Sequence, residues 1–299
     1  MEKTSCACTL LIQLCLCCAL YIALNLGQPQ TLLNTNATQQ DNDIYFISVN
    51  GGFRTINQQL HLLNMMEKVA KAYKASFVVC TSKLGGDDPL MQNATLRFPS
   101  LRLPWYTTYT SRAAKSGGEQ VGCFEQKINL SNGKTLDVIG VDTQALQDSI
   151  LSRSLNGNKN NQLHWLLRTL QANSSNWRIV VGYQPLLICG QNKENTKKTK
   201  AFEYLHHLFT KFAVDVYLSG QDCTIQVPDN RVAYIGNPGL NEKKSYSVFL
   251  NGKSVFSREL ANGFLLHQVS STQIVTYYVS LAGEVAFKTV LQEKSTEVM

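Results

Sequence analysis

Two short apolar runs constrain this chain more than any other feature. Ile179-Val180-Val181 and Val214-Asp215-Val216-Tyr217-Leu218 each end at a glycine, Gly182 and Gly220. Between them lies a stretch of helical character around EYLHHLFTKF. Short β-branched runs closed by glycine read as buried strands, so residues 177–226 predict strand, loop, helix, strand, loop. Tyr183-Gln184 and Gln221-Asp222-Cys223 fall immediately after the two glycines, on the loops.

The same grammar runs through the rest of the chain. Ile44 to Val49 is a first buried strand, ending at Asn50-Gly51-Gly52. Leu60 to Lys74 has helical spacing, with Leu63, Met66, Val69, Ala70 and Tyr73 on one stripe. Ser76 to Thr81 is a second strand, and strand–helix–strand with short connections implies a parallel unit. Residues 85–120, with Pro89, Pro99, Pro104 and Gly117-Gly118, read as irregular, apart from an apolar–polar segment after Pro104. Gly122–Leu130 and Thr135–Val141 form two strands joined at the hairpin signal Asn132-Gly133, and Asp142-Thr143 closes the second. Asn161–Ala172 is an amphipathic helix with Leu163, Leu166, Leu167 and Leu170 on one face. Ala233–Gly236 is a short strand and Asn262–Thr289 an antiparallel meander. This order predicts a layered α/β domain with mixed sheets.

A chain of 299 residues, 44% apolar and 16% charged, buries a full core and excludes wholesale disorder. The net charge of +7 is mild. The basic run Lys193–Lys200 reads as a solvated loop, and without aromatic interleaving or a recognition motif it excludes nucleic acid as a partner. Thr9 to Leu26 is apolar, broken by Gln13 and Asn25 and preceded by Lys3. Residues 1–26 therefore read as a secretory leader, either a cleaved signal peptide or an uncleaved signal anchor, and a membrane is a partner only in the second case. Residues 27–42 form a polar linker and 43–299 the domain. Cys6, Cys8, Cys15, Cys17 and Cys18 lie in the leader and are acylation candidates if it stays. Sequons at Asn36, Asn93, Asn129 and Asn173 fit a luminal or secreted chain. There Cys80, Cys123, Cys189 and Cys223 permit two disulfides in three pairings.

Several segments, in this order, carry a family resemblance: Leu103-Pro104-Trp105-Tyr106, Val141-Asp142-Thr143, Gln162-Leu163-His164-Trp165-Leu166, Trp177 to Pro185, Val214 to Asp222, Thr276-Tyr277-Tyr278 and Phe287-Lys288-Thr289. The chain from about 43 to 291 resembles the purple acid phosphatases of the tartrate-resistant type, within the calcineurin-like metallophosphoesterases. The resemblance implies a four-layer αββα sandwich of two mixed sheets, with metal-binding loops at the strand ends. It also implies a binuclear Fe/Zn/Mn centre that makes a hydroxide and stabilises a phosphoryl group under in-line attack.

The ligand positions implied by that family have changed. Asn50 stands where the first loop has Asp. Lys83 takes the place of the bridging Asp and Gly86 that of the Tyr. Ser111-Arg112 replace Asn-His. Tyr183 and Asn192 replace two His, and Gln221 and Cys223 the last pair. An amide or phenol is a poor substitute for imidazole or carboxylate, and an ammonium repels a cation. The expectation is no metal, no cofactor and no catalytic residue. The protein reads as a catalytically degenerate binding or scaffold module of the secretory pathway, with an unknown protein or anion as partner. The rival is an acid phosphatase acting on phosphomonoesters through a rebuilt site.

Three subsidiary readings follow. Lys83 and Arg112 are a candidate anion site where metal ligands once sat. In the family fold the loops of Cys189 and Cys223 meet at the old centre, so the resemblance makes them a candidate disulfide, with Cys80 as competing partner. His61, His164, His206, His207 and His267 read as surface or packing residues, and Asp142 and Asp215 as hydrogen-bonded structural residues.

Overall fold

The first buried run sets the frame. In a computed structural model the residues described are 11–20, 30–31, 43–108, 123–130, 133–151, 161–172, 175–186, 196–221, 225–226, 232–239, 247–250, 253–256 and 262–293. A helix over 11–20 (α1) precedes β1 (Gln30–Thr31), β2 (Ile44–Asn50), α2 (Ile56–Tyr73) and β3 (Phe77–Thr81). Next come α3 (Pro89–Arg97), β4 (Trp105–Thr108), β5 (Phe124–Asn129), β6 (Thr135–Val141), α4 (Thr143–Leu151), α5 (Asn161–Ala172) and β7 (Trp177–Gly182). The chain continues through α6 (Thr196–Lys211), β8 (Val216–Gln221), β9 (Ile225–Gln226) and β10 (Ala233–Asn237). It closes with β11 (Ser247–Leu250), β12 (Lys253–Phe256), β13 (Gly263–Val269), β14 (Gln273–Ser280) and β15 (Glu284–Gln292).

These strands make two mixed sheets, ordered β1-β15-β14-β13-β2-β3-β4 and β5-β6-β7-β8-β10-β9, with β11-β12 as a separate hairpin. β2, β3 and β4 run parallel, as do β6, β7, β8 and β10. β13, β14 and β15 form the antiparallel meander. Three apolar clusters give the layers. Leu63, Met66 and Val69 of α2 pack on Ile47, Val49 and Val78 of the first sheet. Phe46, Val79 and Leu265 meet Val138, Trp177, Ile179 and Leu218 between the sheets. Leu166 and Leu170 of α5, with Leu205 and Phe209 of α6, cover Val180 and Tyr217 on the far side. The result is the expected αββα sandwich.

The differences from expectation are local. Residues 85–108 are ordered rather than irregular: α3 begins at Asp88-Pro89, where Asp88 caps and proline occupies the first turn. Asp142 opens α4 rather than only closing a strand; its Oδ1 accepts from the N–H groups of Gln144 (3.0 Å) and Ala145 (3.2 Å). β8 starts at Val216, after Asp215 has turned aside to accept from the Arg178 N–H at 2.9 Å. The basic run enters α6 at Thr196 instead of staying a loop. Cys80 is a free, wholly buried thiol and Cys123 is free as well, so two disulfides do not form. Cys189 and Cys223 lie outside the described residues. Of the helix over 11–20, Leu11, Ile12, Leu14, Leu16 and Leu20 are exposed, and no described helix is long and apolar enough to cross a membrane.

A buried polar chain ties the two sheets together. Thr276 on β14 and Ser48 on β2 flank the imidazole of His267 on β13, at 2.9 Å from Nδ1 and 2.8 Å from Nε2. Ser48 Oγ donates to Asn237 Oδ1 on β10 (2.7 Å), and Asn237 Nδ2 donates to Thr81 Oγ1 (3.1 Å) and to the Ser219 carbonyl (3.0 Å). Since Ser48 spends its proton on Asn237, its oxygen accepts from Nε2–H, and Nδ1 accepts from Thr276. His267 is 1% exposed and stacks on Phe46 at 4.3 Å. Burial pulls its pKa from 6.5 down to about 3, so the ring is neutral when folded.

That shift has a sign. Above pH 6.5 the ring is neutral in both states and costs nothing; between pH 6.5 and about 3 only the unfolded chain takes up the proton. Stability is therefore lost as pH falls through this window, at up to about 1.4 kcal/mol per pH unit. Urea unfolding across it will show a shallower acid loss for His267→Gln, whose amide makes the same two hydrogen bonds without titrating. Equal slopes for both proteins would refute the assignment.

Candidate functional site

The parallel strands of both sheets end at one edge of the sandwich, and the residues singled out from the sequence follow those ends. Asn50 closes β2, is 7% exposed, and receives a hydrogen bond on its carbonyl from Arg54 Nη2 at 2.6 Å. Tyr183 follows β7, and its carbonyl accepts from the Gly220 N–H on β8 at 3.0 Å. A Cβ on Gly220 would stand 2.6 Å from that carbonyl and 3.5 Å from both Asn50 Oδ1 and Tyr183 Cδ2. Backbone packing alone therefore requires glycine there, and Asn50 and Tyr183 both border that position. Lys83 leans over the Tyr183 ring, its Nζ 5.2 Å from the centroid. The structure thus gathers Asn50, Lys83, Tyr183 and the backbone end of β8 at Gln221.

Gly86 is not part of this group; it sits exposed in a 3-10 turn with open space around it. Ser111, Arg112, Asn192 and Cys223 lie outside the described residues, as do the sequons' Asn36 and Asn173. Lys83 is exposed, and among the described residues no carboxylate lies within salt-bridge distance of it. The Lys83–Arg112 anion site and the Cys189–Cys223 bond therefore stand as sequence expectations.

Two residues outside the ligand positions that the resemblance implies shape this edge. Asp88 is completely buried, and all its acceptor capacity is directed inward. Oδ1 accepts from Leu90 N–H (2.9 Å), while Oδ2 accepts from Gly52 N–H (2.7 Å) and Ser82 Oγ (2.5 Å). It caps α3 and clamps the loop after β2 to the loop after β3. Gly51 has to be glycine for the same reason, because a Cβ there would lie 2.3 Å from Asp88 Oδ2. The signal was available: Asp followed by Pro marks a helix start. Arg54 is the second. Its Nη1 is enclosed without a hydrogen-bond partner among the described residues. Burial lowers its pKa, opposed by the nearby Cys80 and Asp88. No sequence pattern announced it.

The donor set here is an amide, an ammonium, a phenol and a guanidinium. Among the described residues no group of three His, Cys, Asp or Glu side chains converges. Asp88 has no free oxygen to turn outward. The described side chains do not fit a binuclear metal centre, because neither a cation-bridging carboxylate nor an imidazole faces it. Of the histidines, His206 Nδ1 meets Tyr234 Oη at 2.7 Å, and His267 belongs to the inter-sheet chain.

Comparison with known proteins places the fold. No family model matches the chain. Glideosome-associated protein 50 of Plasmodium falciparum (isolate 3D7) is 28% identical over 209 residues, covering 68% of this chain and 49% of that protein. The chain thus spans about half the length of the curated relative it matches. A solved structure described as "GAP50 the anchor in the inner membrane complex of Plasmodium" superposes with a TM-score of 0.63 at 20% identity, covering 86% of this chain and 90% of the other. The purple acid phosphatase PPD1 from yellow lupin (Lupinus luteus) seeds gives 0.56 at 11% identity, covering 86% of this chain and 55% of the enzyme. These likenesses establish the metallophosphoesterase-type architecture.

Removing the Asp88 carboxylate strands two buried donors and uncaps α3. Asp88→Ala is expected to lower the unfolding free energy by roughly 3 kcal/mol. Urea midpoints at constant m-value measure it, and a loss below about 1 kcal/mol would show that the clamp is dispensable.

Proposed function

We propose that this protein is a catalytically silent relative of the purple acid phosphatases, a binding or scaffold module of the secretory pathway. The observation that carries the reading is the meeting of Asn50, Lys83 and Tyr183 at the strand ends, where phosphoester hydrolysis would need carboxylates and imidazoles. An ammonium over a phenol ring cannot hold a divalent ion, and a water molecule there has nothing to lower its pKa. The likeness to a protein described as an anchor in a membrane complex supports the scaffold reading and an unidentified protein partner. The apolar run Thr9–Leu26 supports entry into the secretory pathway and, if retained, attachment to its membrane.

Purified full-length protein is expected to carry no stoichiometric iron, zinc or manganese by elemental analysis, and to leave an aryl phosphate uncleaved from acid to neutral pH. Its thermal midpoint will not move when a chelator is added, since no metal contributes to folding. Two tightly bound metal ions together with turnover would overturn the proposal in favour of a phosphatase with a rebuilt site.

A further inference from the structure

Of the sequons, two fall on described residues, and the fold treats them in opposite ways. Asn93 lies inside α3, half-buried, its Nδ2 donating to Gln59 Oε1 on α2 at 3.0 Å. Its neighbour Ala94 is completely buried, and the Thr95 hydroxyl is directed to the carbonyls of Met91 and Gln92, each at 3.1 Å. A sugar on Asn93 Nδ2 would have to occupy the space of Gln59, which is 7% exposed. A chain modified there cannot seat α3 against α2.

Asn129 is the last residue of β5, the outermost strand of its sheet. Along β5, Glu125, Lys127 and Asn129 are exposed, while Phe124, Gln126 and Ile128 turn inward in the period-two alternation of a strand. The Asn129 side chain therefore faces outward from a strand that no other described strand covers at its free edge, where a bulky polar group costs no packing against the described residues. Such a group would also shield the edge from strand addition.

We propose that Asn129 carries an N-linked oligosaccharide and that Asn93 does not. The inference rests on the secretory reading given above. In the transfer, Asn129 Nδ2 attacks the anomeric carbon of a lipid-linked oligosaccharide pyrophosphate. The new C–N bond forms, the C–O bond to the pyrophosphate breaks, the lipid pyrophosphate leaves with the electron pair, and the amide gives up one proton. The position has a consequence for the molecule. Asn129 pairs with Thr135, the first residue of β6, whereas Asn50, Lys83 and Tyr183 lie at the opposite ends of the parallel strands. The seven residues of β6 separate the two ends by roughly 20 Å. A sugar at Asn93 would stand on the helix that Asp88 ties to the loop of Phe53, close to the candidate site. A sugar at Asn129 leaves that rim uncovered, including Phe53 and Ile56, which are 77% and 71% exposed.

The test is expression of the full chain in a eukaryotic secretory host, followed by enzymatic deglycosylation in heavy-oxygen water and peptide mass spectrometry. Labelled Asp is expected at position 129 and unmodified Asn at 93. Asn129→Gln will gain gel mobility by one glycan and Asn93→Gln will not. A luminal, folded chain with unmodified Asn129, or with sugar on Asn93, overturns the proposal while leaving the secretory reading intact. A chain open to protease on the cytosolic side and bare at every sequon removes the secretory reading and this inference with it.

Discussion

The two sheets are held in register by one buried polar chain. Apolar contact between Phe46, Val79 and Leu265 on one side and Val138, Ile179 and Leu218 on the other supplies the attraction, but it is non-directional. The chain from Thr276 through His267, Ser48 and Asn237 to Thr81 and Ser219 is directional. Each hydroxyl and amide in it has a single consistent role, so a slip of one sheet over the other would strand several buried groups at once. Its Asn237 end lies beside the C-termini of β3 and β8, two of the strands whose following loops form the candidate site. The geometry of that edge is thereby fixed from beneath, by residues other than Asn50, Lys83 and Tyr183.

This separation lets the side chains at the edge vary while the architecture holds. Gly220 is demanded by the Tyr183 carbonyl, and Gly51 by Asp88, whatever side chains surround them. Asp88 is satisfied by backbone and hydroxyl donors, so its charge needs no bound cation. Arg54 and Lys83 bring the chain's own positive charges to the region.

The strands were legible because their chemistry is local. β2, β3, β7 and β8 are short β-branched or aromatic runs bounded by glycine or polar loops, and the meander alternates with period two. α5 matched its expected bounds, with Leu166 and Leu170 of its leucine stripe in the core and Leu163 and Leu167 partly buried against it. α3 and α4 were missed for a common reason: each begins at an aspartate, Asp88 or Asp142, that also reads as a turn residue, and each is only nine residues long. His267 looked ordinary because its partners are 9, 30 and 219 positions away or reached through them; only the tertiary fold supplies Thr276 and Asn237. Arg54 was invisible for the same reason, since its surroundings come from β2, β3 and the α3 cap.

The site itself was half legible. The presence of an amide, an ammonium and a phenol at Asn50, Lys83 and Tyr183 can be read from the chain, because a strand end followed by a loop has a fixed position in this architecture. How those side chains are disposed in space cannot. It depends on whether Lys83 turns to a carboxylate or to an aromatic face, and the structure places it over Tyr183, with no carboxylate within salt-bridge distance among the described residues. A cation resting on a ring keeps most of its charge available to solvent, whereas one in a buried ion pair does not. The edge therefore presents positive charge and exposed apolar side chains, Phe53 and Ile56, on a rigid base. Among the described residues at this edge no carboxylate or imidazole is placed to activate water, and the proposed reading of the protein as a binding module rests on that combination.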